Sequence, residues 1–71
     1  MTKTEKKLLE YIIVYKQVNG CSPSRDDMKR GLGVNSNRMV DDAILNLEEG
    51  GYIEVIPRRG IRVIDFNFLH E

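Results

Sequence analysis

Residues 31–44 read GLGVNSNRMVDDAI, and the fold turns on how this stretch is parsed. Gly33 is placed to end one helix in left-handed backbone, where an amino acid with a Cβ is disfavoured. Two residues later Asn35 or Ser36 can cap a new helix. That helix opens on polar side chains, Asn37 and Arg38, and carries Asp41 and Asp42 one turn further in. A helix built purely for packing has little use for such a beginning. It is expected to be presented to a partner.

Working outward, Val40, Ala43, Ile44 and Leu47 recur at helical spacing and predict the inward stripe of this helix, which should run to about Glu49 before Gly50 and Gly51 stop it. Upstream, CSPSRDD places Pro23 after an extended Ser22. Ser24 follows as an N-cap with Asp27 three residues on. A short helix from Arg25 to about Gly31 should follow, with Met28 and Leu32 inward. Before it, Thr2 or Thr4 can cap a first helix, with Glu5 as capping-box partner of Thr2. Gly20 should end that helix after Asn19. Its apolar surface is wide: Leu8, Ile12 and Tyr15 form one stripe, Tyr11, Val14 and Val18 a second, Leu9 and Ile13 a third. Lys6, Glu10 and Gln17 are left as the polar face, so this helix is expected to be covered on more than one side.

Downstream, YIEVIP and GIRVI read as two strands rich in β-branched residues. PRRG between them makes a hairpin turn, with Pro57 at a strand end and Gly60 free to take positive φ. The order of helix, helix, turn, helix and hairpin is that of an α+β winged helix-turn-helix, with residues 24–49 as the helix-turn-helix and the hairpin as the wing. The domain is expected over residues 1–65. The tail 66–71 carries Phe66, Phe68 and Leu69, which are expected to pack on the first helix, within one chain or across a homodimer.

The 71 residues allow one small core. With 41% hydrophobic and 31% charged residues the chain has the composition of a folded soluble domain. Its longest apolar run, Tyr11–Tyr15, is too short for a membrane span or a signal core, which points to the cytoplasm and away from a membrane partner. Cys21 and His70 are the single cysteine and histidine. A disulfide, a zinc site of the Cys/His type and a Ser-His or Cys-His pair are therefore not expected, nor is an enzyme, a cofactor or a small-molecule ligand. Eleven basic residues balance eleven acidic ones, so a case for nucleic acid rests on where the charges sit rather than on their sum.

The stretch SPSRDDMKRGLGVNSNRMVDDAILNLEEGGYIEVI, followed by RRGIRVI, resembles the N-terminal DNA-binding domain of the LexA repressor family. The pattern is Pro23 and Arg25 opening the second helix, Leu32-Gly33 in the turn and Ser36 at the start of the third. The acidic pair Asp41-Asp42 follows, then Ile44 and Leu47, then Gly51, Ile53 and Glu54 entering the wing, and Arg59 to Arg62 leaving it. The resemblance spans about Thr4 to Ile64. It implies that the third helix enters the major groove and that Ser36, Asn37, Arg38, Met39, Asp41 and Asp42 face the bases. A carboxylate there accepts from the cytosine amino group. This chain departs from the family pattern in a shorter wing turn and in Asn37-Arg38-Met39. It also ends where the family's self-cleaving, dimer-forming domain would begin, so that activity is not expected.

Local charge divides the surface. Residues 36–49 hold one arginine against Asp41, Asp42, Glu48 and Glu49, whereas the wing holds Arg58, Arg59 and Arg62 without an acid. Lys29 and Arg30 add positive charge beside the turn, and Arg25 opens the same helix. Phosphates are expected at Arg25, Lys29 and Arg62, phosphates or the minor groove at Arg58 and Arg59, and bases at the third helix, because phosphate contacts fix register while base contacts choose sequence. The expected function is sequence-specific binding of double-stranded DNA in transcription regulation. The competing expectation, favoured by zero net charge and an acidic third helix, is a winged-helix module for protein contact.

Overall fold

Thr2 begins the first helix by an exchange of hydrogen bonds. Its hydroxyl accepts from the Glu5 amide at 3.1 Å, and its own amide donates to the Glu5 carboxylate at 3.4 Å. The computed structural model describes residues 1–58 and 60–64. Helix α1 spans Lys3–Asn19 and stops at Gly20, whose φ of 75° is left-handed. Helix α2 spans Arg25–Leu32, opened by a second capping box between Ser24 and Asp27 and closed by Gly33 at φ 72°. Helix α3 spans Asn37–Glu49, and Ser36 rather than Asn35 is its cap, accepting from the Met39 amide at 3.4 Å.

Strands β1 (Ile53–Ile56) and β2 (Gly60–Val63) pair antiparallel, with Ile53 opposite Val63 and Ile56 opposite Gly60. The sequence thus yields three helices and a two-stranded wing in the expected order. Arg59 in the turn and the tail 66–71, with its expected packing on the first helix or across a dimer, lie outside the described residues.

The core collects one arc from each helix and one face of the hairpin: Leu8, Leu9, Ile12 and Ile13 from α1, Met28 and Leu32 from α2, Val40, Ala43 and Leu47 from α3, and Ile53 and Ile61 from the wing. Removing that apolar surface from water is the main source of stability at this size. Ile44 is half-buried and packs against the core margin.

The first helix, expected to be covered on more than one side, is covered by α2 and α3 through Leu8, Leu9, Ile12 and Ile13, and Val14 and Val18 are the part of its apolar surface left open among the described residues. Val14 and Val18 are 56% and 77% exposed. Helices α2 and α3 and the wing occupy one side of α1, and within the described residues nothing covers the opposite flank. Tyr11 and Tyr15 mark the boundary and are half-buried.

Helix α2 also runs one residue further than expected, through Gly31. A Cβ there would meet the ring of Tyr11 at 2.7 Å. A residue that is poor in helices is used because the two helices approach too closely for any side chain. The second tyrosine joins the same helices by a polar route, its hydroxyl donating to Asp27 at 3.2 Å. Hydrogen bonds from the Ser24 amide and hydroxyl, joined by the one from Tyr15, hold the Asp27 carboxyl below the usual range, and the Asp27 acceptor raises the Tyr15 hydroxyl above its own.

The wing is fixed at both edges. Ser22 accepts from the Ile61 amide at 2.8 Å and donates to its carbonyl at 3.1 Å, and Lys16 donates to the same carbonyl at 2.6 Å. On the other strand the Glu48 carboxylate accepts from the Val55 amide at 3.1 Å. The hairpin is therefore oriented by side chains from α1, the loop before α2 and the end of α3.

Candidate nucleic-acid interface

Burial of Val40, Ala43 and Leu47 fixes the rotation of α3 about its axis. At about 100° per residue, Arg38, Asp42, Leu45 and Glu49 then form the ridge pointing away from the core. Asn37, Asp41 and Glu48 lie on the flank toward α2 and the wing. Met39 and Asn46 lie on the opposite flank, where they share a cleft with Thr2, Thr4 and Glu5 of α1. Ser36 is committed to its cap, and its hydroxyl lies at the positive end of the helix, where amide groups favour anions.

The two aspartates are both paired with arginine. Asp41 receives Arg25 Nε at 2.5 Å, joining the third helix to the first residue of the second. Asp42 lies 3.9 Å from Arg38, one turn away on the same helix, with both side chains mostly in solvent. The acidity of this surface is thereby offset where it is greatest. The basic partners come from α2 and from α3 itself.

Arg25 and Arg58 line one groove of about 300 Å³ between α2, α3 and the wing, together with Pro23, Ile44, Val55 and Pro57. Arg58 has φ 67°, the one positive value outside glycine among the described residues. An arginine at this position costs on the order of 1 kcal/mol relative to glycine. It directs a cation from the hairpin tip toward the groove that Arg25 also borders.

The other expected cations are placed elsewhere. Lys29 is 23% exposed and pairs with Asp26 at 3.3 Å, and Arg30 lies 3.5 Å from Asp27, each on its own helix. Arg62 is exposed on β2 directly across from Glu54, on the hairpin face away from the core. It borders a different cleft, with Ile13, Lys16 and Gln17 of α1. Arg25 therefore joins Asp41 by an ion pair and Arg58 through a shared groove, Arg38 and Asp42 pair on the outward side of α3, and Arg62 borders a separate cleft.

Sequence reasoning passed over Leu45, which is 51% exposed on the outward ridge. The signal was available, since 38, 42, 45 and 49 are spaced as one helix face opposite 40, 43 and 47. It also passed over Ser22 and Lys16, which hold the wing through contacts thirty-nine and forty-five residues away in sequence. No local pattern announces such contacts.

A second helix that braces a third, whose polar first turns face outward beside an arginine-tipped hairpin, defines a winged helix-turn-helix domain. Comparison with known proteins agrees. A family model described as the LexA DNA binding domain matches residues 1–60. The chain belongs to that family. The LexA repressor of Rhodospirillum rubrum is 36% identical over 59 residues, covering 83% of this chain and 24% of the relative. That of Ruegeria sp. is 37% identical over 59 residues, with 83% and 24% covered. That of Haemophilus influenzae is 30% identical over 67 residues, with 92% and 32% covered. The chain thus spans about a quarter to a third of the length of the curated relatives it matches. No helix among the described residues is long and apolar enough to cross a membrane.

Proposed function

We propose that the domain reads a specific double-stranded DNA sequence in transcription regulation. The first two turns of α3 enter the major groove while Arg25 and Arg58 grip flanking phosphates. The observation that carries this reading is the division of α3. One side is locked in the core, and the exposed sides, at the helix's positive end, present Asn37, Arg38, Asp41 and Asp42, with Asp41 bound to Arg25 of the groove that Arg58 also lines. Asn37 and Arg38 match adenine and guanine edges, and the aspartates match a cytosine amino group. Ser36 and the helix amides behind it suit a phosphate. Met39, on the flank toward α1, suits a thymine methyl. Arg59, Arg62 and Lys29 serve as further phosphate contacts.

The test is selection of bound duplexes from a randomised pool, followed by titration of the selected site at several salt concentrations. A preferred sequence should emerge, with affinity falling by about 0.9 log units per log unit of salt for each phosphate neutralised. Arg58→Gly should leave stability unchanged or raised, because it relieves the left-handed arginine, while lowering affinity for all sequences alike. A pool that returns no preferred sequence would refute the reading.

Exposed Leu45 beside Glu49 supports a second reading, contact with another protein through the far half of α3. In that case Leu45→Asp would abolish partner binding and leave duplex binding intact.

A further inference from the structure

The two aspartates of α3 are held differently, and the difference assigns them different work. Asp42 and Arg38 are four residues apart on one helix at the limit of ion-pair distance, with side chains 90% and 66% exposed on the arginine and aspartate respectively. Such local pairs are weak and exchange freely with water. Asp41 and Arg25 are sixteen residues apart, on different helices, and in direct contact. Both remain open to solvent, so a ligand can reach either partner. The arginine also lines the groove that carries Arg58 on its far wall.

A carboxylate on a guanidinium occupies the position that a phosphate oxygen would take, because both are anionic acceptors matched to the same N–H donors. While Asp41 holds the Nε–H of Arg25, the pair has no net charge and offers a phosphate no uncompensated positive charge. We propose that Asp41 is a specificity-determining residue that acts through Arg25, sequestering this phosphate contact until the duplex offers Asp41 an exchange partner. On a matching site the cytosine amino group takes the carboxylate, and Arg25 turns to the backbone. On other sequences Asp41 gains nothing by leaving, and Arg25 stays with it. Base reading and backbone gripping are thereby linked, and non-specific binding is weakened by one phosphate contact. The inference rests on the reading that α3 enters the major groove.

The experiment measures binding of the selected duplex and of a randomised duplex pool to the intact chain between 50 and 200 mM salt. For the unaltered protein the salt slope should be steeper on the selected duplex than on the pool by about 0.9, one phosphate. Asp41→Asn preserves shape at an exposed position. It should steepen the slope on the pool by the same amount and reduce discrimination on the order of 10-fold. Arg25→Ala should erase the slope difference, and adding Asp41→Asn to it should change the pool slope no further. That last comparison separates release of Arg25 from simple removal of negative charge, which would act in either background. If the unaltered protein discriminates between duplexes but Asp41→Asn leaves the pool slope unchanged, the exchange is refuted and the major-groove reading stands. If the unaltered protein binds the selected duplex and the pool alike, both fall together.

Discussion

The two halves of α3 are built from the same core stripe and offer opposite chemistry to solvent. The first half, Asn37 to Asp42, begins on a serine cap at the positive end of the helix, and its acids are matched by Arg25 and Arg38. The second half exposes Leu45 and ends on Glu48 and Glu49, without a basic residue in its last turn. Carboxylates at the negative end of a helix oppose its dipole. Glu48 recovers part of that cost by accepting from the Val55 amide, so an acid misplaced for the helix orients the wing. The comparison teaches that net charge is a poor guide to this surface. On the proposed function, a duplex approaching α3 would be received at one end and repelled at the other, which would set the direction of docking.

Removing what both halves share should have the largest effect. Leu47 is fully buried and anchors the second half as Val40 anchors the first. Leu47→Ala should cost about 2–5 kcal/mol, a large share of the stability of a domain this size, measured as a lowered denaturation midpoint. Ser36→Ala removes the cap from the first half alone and should cost about 1 kcal/mol. Duplex affinity should fall by more than that loss of stability explains if the helix start also meets a phosphate.

Glu49→Lys reverses the sign at the far end. It should raise stability by about 0.3–1 kcal/mol through the helix dipole and leave the salt slope of duplex binding unchanged. A slope steeper by about 0.9 would place the second half over phosphates and overturn the division of α3.

The smallest effect is on acid stability, away from α3. Asp27 is held below its ordinary carboxylate value in the folded state. Its contribution is present above the unfolded value near about 3.9 and is lost as pH falls through the lower folded value. Asp27→Asn should flatten that part of the acid unfolding profile. Tyr15, raised by the same hydrogen bond, contributes below its ordinary value and loses that contribution at the alkaline extreme.

Much of this architecture was legible in the residues because it is written locally. Thr2 with Glu5, Ser24 with Asp27, and Ser36 announce helix starts within three residues, and Gly20 and Gly33 announce stops. Val14 and Val18 are exposed among the described residues, and periodicity shows which residues could be buried and not which neighbours cover them. Gly31 lies inside a helix that its type argues against, and its reason is a ring twenty residues away. The Arg25–Asp41 contact and the anchoring of Ile61 by Ser22 and Lys16 depend on how the helices cross, which no short pattern encodes. Of the residues expected to meet DNA, Asn37, Arg38, Asp41 and Asp42 share the exposed start of α3, Arg25 and Arg58 line one groove, and Met39 turns to the cleft with α1. Lys29 is paired with Asp26 and Arg62 borders a separate cleft, neither of which charge alone foretells.

The most direct test follows backbone amide chemical shifts along the chain as a selected duplex is added. Shifts should concentrate at Asn37 to Asp42, Arg25 and Arg58, with Leu45 to Glu49 little changed. Shifts concentrated at Leu45 to Glu49, with the first turns of α3 and the wing unmoved, would contradict the account.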